Sequence, residues 1–208
     1  MFTGIVTRSC TVEKIEHKTG LRRLAVKLEG LMDGLERGAS VAVDGVCLTA
    51  TEMDFERELV FFDVMQESLE KTTLGELHEG DLVHVERSAV FGQEVGGHIV
   101  SGHVTGTATV TAIDRPENNF VLHLEVPESA RDHIFDKGFV AIKGASLTVV
   151  DYKHSEGRFE IWLIPETLDV TTFSTLKAGD RVNFEVDPQT VAIVETVQRV
   201  MQRQQVHK

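Results

Sequence analysis

The chain has 208 residues, of which 41% are hydrophobic and 26% charged, so its composition is that of a globular protein rather than a disordered or fibrous one. Its 33 acidic residues outnumber its 21 basic ones, and the formal net charge of −12 would repel a phosphate backbone. We therefore expect no nucleic-acid partner.

The cysteines and the hydropathy pattern narrow the class further. Cys10 and Cys47 lack the CxxC spacing of a zinc or redox site, which favours a reducing compartment. No apolar run reaches the ~18 residues of a membrane helix, and the N-terminus lacks the basic and then apolar pattern of a signal peptide. We expect a cytoplasmic protein without a membrane partner.

The sequence repeats itself with a period of about 99 residues. VAVDGVCLT at 41–49 aligns without gaps with VAIKGASLT at 140–148, with identity at five of nine positions. At the same spacing ESLEKTT at 67–73 aligns with ETLDVTT, and EGDLVHVE at 79–86 with AGDRVNFE. A repeat of this kind indicates tandem structural units, so we predict homologous domains at 1–97 and 98–187.

Each repeat contains short β-branched segments separated by turn residues. LAVKL at 24–28 and LHLEV at 122–126 alternate with the period of two that is typical of half-buried strands. Turns are predicted at Asp33-Gly34, Arg37-Gly38, Glu79-Gly80, Gly96-Gly97, Glu156-Gly157 and Gly179-Asp180. We predict an all-β fold of two small antiparallel barrels with about six strands each.

The tail, residues 188–208, departs from this pattern. Ile193, Val197 and Val200 recur at helical spacing within 190–205, and Asp187-Pro188 suits the start of a helix. The apolar stripe of such a helix must pack on another chain or back on a barrel. We favour oligomerisation.

Positions that differ between the repeats are candidates for chemistry. Ile5 of the first repeat corresponds to His103, and Cys47 corresponds to Ser146. An imidazole moves protons near neutral pH, although a lone histidine is more often a solvated residue, and a cysteine within a strand is more often a small buried hydrophobe. Gly96-Gly97-His98 is more typical of a turn between domains than of a ligand loop.

Sequence motifs exclude several reaction classes. The chain has no phosphate-binding loop, dinucleotide fingerprint, zinc-protease motif or hydrolase nucleophile elbow. From the residues alone, the chain is an acidic two-barrel protein that binds one small ligand per barrel.

Six segments together resemble the riboflavin synthase family of the alpha-chain type: MFTGIV, SVAVDGVCLT, EVGGHIVSGHV, KGFVAIKGASLTV, LIPETLDVTTF and GDRVNFEVDPQT. The resemblance runs from Met1 to the start of the tail helix. It implies two Greek-key barrels and a C-terminal helix that joins three subunits. It also implies that two molecules of 6,7-dimethyl-8-ribityllumazine exchange a four-carbon unit, giving riboflavin and 5-amino-6-ribitylaminouracil without a cofactor or metal.

The family's site residues carry over in two sets, one for each repeat. The first pocket is expected to contain Gly4, Ile5, Val6, Ser40, Cys47, Leu48, Thr49, Asp63, Val64, Met65, Gln66, Glu67 and Ser68. The second is expected to contain Gly102, His103, Val104, Ser146, Leu147, Thr148, Ile164, Pro165, Glu166, Thr167, Leu168 and Asp169.

The resemblance implies proton transfer by His103, Ser146 and Thr148 in the second pocket and by Cys47 and Ser40 in the first. Lys137 is expected to reach across a subunit interface, with a turn-flanking surface lysine as the alternative. The family usually has an aspartate where this chain has Lys143. Either this change alters proton transfer, or Lys143 is a turn residue without a role in the reaction.

Two other functions fit a two-barrel chain. A lumazine or flavin antenna protein keeps the fold without the reaction, but both repeats here retain a Leu-Thr pair and a Glu-x-Leu-x-x-Thr-Thr stretch. A purely structural protein would bind no pteridine. We favour the enzyme.

Overall fold

The first repeat forms a closed barrel of six antiparallel strands. The structure is a computed structural model that describes residues 1–117 and 119–206. The strand order around the barrel is β1-β2-β5-β4-β3-β6, the crossing pattern of a Greek key. Alternating valine, leucine and phenylalanine side chains fill its interior. The strands are β1 (Arg8–Lys18), β2 (Leu21–Lys27), β3 (Ser40–Val43), β4 (Val46–Asp54), β5 (Leu59–Met65) and β6 (Leu82–Arg87).

The second repeat has the same order of strands but seven of them instead of the expected six. They are β7 (Gly106–Asp114), β8 (Phe120–Glu125), β9 (Phe139–Ile142), β10 (Ala145–Thr148), β11 (Val150–Lys153), β12 (Arg158–Leu163) and β13 (Arg181–Val186). β10 and β11 together correspond to β4, and they form the two edges of the sheet. The break falls at Val149, and β11 then has a register shift between Val150 and Lys153 and a left-handed φ of 51° at Asp151. Because Val149 alone joins the two edges, the chain itself completes the second barrel.

Helices occupy equivalent places in the repeats and the tail. α1 (Gln66–Lys71) follows β5, α2 (Pro165–Val170) follows β12, and α3 (Pro188–Val206) follows β13. The Asp187 carboxylate accepts hydrogen bonds from the Gln189 and Thr190 amides, so it caps α3 as predicted. Residues 207–208 of the predicted tail lie outside the described residues. Among the described helices, none combines the length and apolar character needed to cross a membrane.

The α3 helix is only partly covered by the chain's own barrels. Val191 packs against the core of the second barrel, and the Gln198 amide donates to Asp132. The predicted apolar stripe faces away from these contacts and is exposed: Ile193, Val197, Val200 and Met201.

The barrels meet through the turns that join β3 to β4 and β9 to β10. Gly45 and Gly144 lie back to back, and a Cβ on Gly45 would be only 2.6 Å from the Gly144 nitrogen. Beside them, the Lys143 ammonium is 3.2 Å from the Asp44 carboxylate, with side chains 12% and 2% exposed. Lys143 therefore does not lie on a surface turn, because its side chain is largely buried and pairs with Asp44 between the barrels.

Equivalent residues of the two last strands complete this contact. The Thr172 amide donates to His84 Nε2 at 2.8 Å, and His84 Nδ1 lies 3.0 Å from the Lys143 carbonyl. Asn183 of the second barrel makes the same two contacts with the first barrel: it accepts from the Thr73 amide and donates to the Asp44 carbonyl. Since Nε2 accepts a backbone N–H, His84 is neutral with its proton on Nδ1. Burial lowers its pKa to about 4.

Candidate functional site

Two short segments, the first arm (residues 3–6) and the second arm (residues 101–104), are held by buried carboxylates. Glu86 accepts from the Thr3 amide at 2.6 Å, from the Thr3 hydroxyl at 2.8 Å and from the next amide at 3.1 Å. Glu185 makes the same three contacts with the second arm, at 2.7, 2.8 and 2.9 Å. Burial raises the pKa of Glu86, although these donors favour its charged form. Each arm is thus fixed to the last strand of its own barrel.

Beyond these anchors, each arm crosses to the opposite barrel. The Ser146 amide donates to the Gly4 carbonyl at 2.8 Å, and the Cys47 amide donates to the Gly102 carbonyl at 2.9 Å. Both glycines have left-handed φ, and a Cβ on either would lie 2.5 Å from the Cβ of the residue it faces. Only glycine fits at these two crossings.

The sequence-based grouping of the arms with the pockets is therefore wrong. The first arm lies beside Ser146 rather than Cys47, and the second arm lies beside Cys47 rather than Ser146. The reason is the antiparallel bridge between Phe2 and Val100, with hydrogen bonds of 2.8 and 3.0 Å, which makes the arms run past each other. Each candidate pocket is consequently built from both repeats.

Packing of the arms supports the same exchange. Val6 belongs to the hydrophobic core of the second barrel, and Val104 belongs to the core of the first. The segments after α1 and α2 cross over in the same way, since Thr73 contacts β13 and Thr172 contacts β6. An alignment of one repeat on the other cannot show this exchange, because it pairs equivalent residues and not neighbours.

A cavity lies over each arm. One, of about 650 Å³, is lined by Ile5 and Arg87, and the other, of about 450 Å³, is lined by His103 and Lys71. Lys71, the last residue of α1, is the residue of the first repeat that lines the cavity at His103. The two cavities occupy equivalent places in the repeats, with an isoleucine in one and an imidazole in the other.

The first candidate pocket uses the start of β4 and the end of β5. Ser40 pairs with Thr49 across the strands, Leu48 is buried, and Cys47 is half-buried. Asp63 is already engaged, because Arg23 donates to it at 2.7 and 3.1 Å and thereby lowers its pKa. Val64 belongs to the core of the first barrel, Met65, Gln66 and Glu67 are exposed, and Ser68 is half-buried.

The other cysteine is unsuited to chemistry. Cys10 lies in the core of the first barrel, and burial raises the pKa of its thiol to about 11. Cys47 is half-buried and packs against a small cluster of Phe2, Ala42, Val100 and Ala141, which both repeats form.

The second candidate pocket uses the equivalent strand β10. Thr148 pairs with Phe139, which stands where the first barrel has Ser40 and is 52% exposed. Ser146 Oγ lies 2.6 Å from His98 Nδ1, and the rings of His98 and Phe139 stack at 5.2 Å and 16°. Burial lowers the pKa of His98. Leu147 and Leu168 pack against the core of the second barrel, Thr167 is half-buried, and Ile164, Pro165, Glu166 and Asp169 are exposed.

Lys137 lies in the turn that precedes β9 of the second barrel. It is exposed, has a left-handed φ of 63°, and its amide donates to the Val149 carbonyl. Its reach across a subunit interface stays a prediction, as do the substrate contacts of the other residues.

Sequence reasoning missed Glu86, Glu185, His98 and Phe139. The two glutamates were visible as identical residues at the ends of the aligned segments EGDLVHVE and AGDRVNFE. His98 carried no such signal, because it lies outside the aligned segments. Within residues 1–117 and 119–206, no cluster of three or more His, Cys, Asp or Glu side chains is placed to hold a metal ion.

Comparison with known proteins decides the family. The family model described as the lumazine binding domain matches twice, at residues 3–88 and 101–187. The riboflavin synthase of Escherichia coli strain K12 is 47% identical over 203 residues, covering 97% of this chain and 93% of that protein. The chain belongs to the riboflavin synthase family. The family member from Bacillus subtilis strain 168 is 36% identical over 187 residues, covering 90% and 85% of the two chains.

A solved structure agrees with the fold. The chain is similar to LumP, whose crystal structure is described as a complex with riboflavin, with a TM-score of 0.82 and 25% identity over 90% of this chain and all of that one. The family resemblance and the all-β fold of tandem Greek-key barrels with a C-terminal helix are confirmed. The bounds 1–97, 98–187 and 188–208 stay predictions.

Proposed function

We propose that this protein is a riboflavin synthase, which converts two molecules of 6,7-dimethyl-8-ribityllumazine into riboflavin and 5-amino-6-ribitylaminouracil. The observation that carries the proposal is the pair of pockets, alike in backbone and different in side chains, in a chain 47% identical to a riboflavin synthase over nearly its full length. A reaction between two identical molecules needs two similar binding sites. Because one molecule donates and the other accepts, the two sites also need different proton-handling groups.

The chemistry of the pockets suits a pteridine ring. Hydroxyl groups and backbone amides at the strand ends offer hydrogen bonds to ring carbonyls and nitrogens, and exposed apolar side chains such as Ile5, Ile164 and Met65 offer surface for the ring. The conjugated ring stabilises the carbanion formed from its own methyl group. The protein then contributes mainly orientation, worth ~7–11 kcal/mol for well-held reactants, and proton transfer.

The residue differences favour an enzyme over an antenna protein. The second pocket combines Ser146 with His98, and the first combines Cys47 with Ser40 and with His103 on the crossing arm. An antenna protein needs binding only and has no use for two differently equipped sites. LumP, at 25% identity, is also the more distant relative.

The proposed enzyme acts as a homotrimer in the cytoplasm. The exposed stripe of α3, from Ile193 to Met201, is the surface that the trimer would cover. The cytoplasmic location is inferred from the free cysteines Cys10 and Cys47.

A matched pair of variants tests the trimer. We expect Val197→Glu, which places a charge within the stripe, to give monomers in sedimentation velocity. Gln202→Glu adds the same charge on the opposite side of α3 and should leave the trimer intact. If both variants sediment as the unmodified protein does, the stripe is not the trimer contact.

The activity test uses purified full-length protein, the lumazine and EDTA, with no other additive. We expect riboflavin to form in a ratio of one per two lumazine molecules consumed, because one substrate is both donor and acceptor. Riboflavin binding without turnover would instead identify an antenna protein, and the absence of both would leave a purely structural role.

A further inference from the structure

His98 is a buried histidine whose hydrogen bonding is directed at one group. Its side chain is 8% exposed, and Nδ1 lies 2.6 Å from Ser146 Oγ. Within the described part of the chain, Nε2 is buried and has no hydrogen-bond partner. Buried polar atoms usually have partners, so an orphaned one calls for an explanation. Among the described residues, the imidazole therefore makes one hydrogen bond, to Ser146, and leaves Nε2 unpaired.

The surroundings of His98 fix its ring as well as its bond. Phe139 stacks on one face at a centroid distance of 5.2 Å. On the chain side, Gly97 is so close to the first arm that a Cβ there would lie 2.3 Å from the Thr3 carbonyl and 2.6 Å from the Ser146 Cβ. The backbone, the stack and the hydrogen bond together leave the imidazole a single orientation.

This arrangement exists in the second pocket alone among the described residues. Cys47 is the equivalent of Ser146 and makes the same amide hydrogen bond to the glycine of an arm, but it has a thiol in place of the hydroxyl that contacts His98. Where the second barrel has the stacking ring of Phe139, the first has Ser40. The dyad is therefore an addition to one pocket of an otherwise repeated framework.

We propose that His98 is a positioning residue that fixes the Ser146 hydroxyl toward the bound substrate, a role that rests on the proposed function. A free serine hydroxyl rotates among three staggered positions, whereas a hydroxyl bonded to a fixed imidazole keeps one. The hydroxyl then meets the reacting ring in the second pocket without reorganisation. His98 itself touches Ser146 and not the substrate.

Two substitutions of similar polarity separate positioning from packing. The amide group of His98→Asn ends near the place of Nδ1 and keeps the bond to Ser146, whereas that of His98→Gln ends near Nε2 and loses it. For the lumazine reaction we expect His98→Gln to lower kcat about tenfold or more, with little change in KM, as expected for loss of an oriented hydrogen bond. We expect His98→Asn to retain most of the wild-type kcat.

A double-mutant cycle asks whether His98 acts through Ser146. In a Ser146→Ala background, His98→Gln should cause little further loss of kcat, because the group it positions is gone. Losses that multiply, or equal losses in His98→Asn and His98→Gln, would overturn the proposal. If the wild-type protein makes no riboflavin, the proposed function itself fails. If the wild-type protein is active but His98→Asn does not have a higher kcat than His98→Gln, only the positioning role of His98 is overturned. Urea unfolding of each variant identifies any loss caused by misfolding.

Discussion

The two barrels share a backbone framework and differ in the side chains placed on it. Both arms are held by a glutamate, at Glu86 and Glu185, and both reach the opposite barrel through a glycine carbonyl. The side chains at equivalent positions differ: Ile5 of the first repeat corresponds to His103 of the second, and Cys47 corresponds to Ser146. The repeat therefore preserves the backbone framework of the two candidate sites and varies which side chains on it can exchange protons.

The contact between the barrels differs in the same way. The turns at Gly45 and Gly144 are related by the repeat, yet Asp44 on one side meets Lys143 on the other. His84 and Asn183 are also equivalent and use different groups for the same pair of hydrogen bonds. A repeated chain needs complementary residues at its own interface, because two identical charges there would repel.

The largest expected effect tests this interface. Lys143→Met should lower the free energy of unfolding by about 3–5 kcal/mol, because it leaves the Asp44 carboxylate buried without its cation. Urea unfolding monitored by the fluorescence of Trp162 measures the change. The double variant Asp44→Asn with Lys143→Met removes both charges and should recover most of the stability. A single variant as stable as the wild type would show that the pair is dispensable.

The sequence predicted the fold well because the repeat and the turn residues are local signals. The two barrels and the start of α3 at Asp187-Pro188 followed from alternation, glycine turns and a helix-capping pair. The additional strand of the second barrel was not predicted, because no glycine or proline marks the one-residue break between β10 and β11 at Val149.

The grouping of the pockets could not be predicted in the same way. Alignment identifies Gly4 and Gly102 as equivalent, but it contains no information on which barrel each arm contacts. The ion pair of Lys143 with Asp44 was missed for the same reason. The alignment shows that the two residues are equivalent, but it does not show that they contact each other. Contacts between repeats are set by packing, which the sequence pattern does not show.

A smaller effect concerns the pH dependence of the barrel contact. The pKa of His84 is about 4 in the folded chain and about 6.5 when unfolded, so the unfolded state binds more protons between these values. The free energy of unfolding is therefore highest above pH 6.5. It falls by up to about 3 kcal/mol as the pH is lowered toward 4, because the unfolded state then gains the proton. Urea unfolding at several pH values measures this slope.

Asn183 supplies the matched control for His84. His84→Asn copies the side chain that makes the equivalent bonds in the second barrel, so it should keep the contacts and remove the titrating group. We expect the stability of this variant to depend less on pH between 4 and 6.5. If its slope equals that of the wild type, other groups cause the acid sensitivity.

The smallest of the three effects compares the arms directly. His103→Ala should lower kcat about 10²-fold, which corresponds to about 2.7 kcal/mol, because an imidazole transfers protons near neutral pH. An isoleucine side chain has no proton to transfer, so Ile5→Ala should mainly raise KM. Both residues are exposed, Ile5 by 50%, so neither change leaves a buried cavity and the folded state should survive both. Steady-state kinetics with the lumazine measure the two variants side by side. If His103→Ala keeps the wild-type kcat and changes only KM, the second arm binds substrate as the first does, and the chemical difference between the pockets must lie at Ser146 and Cys47.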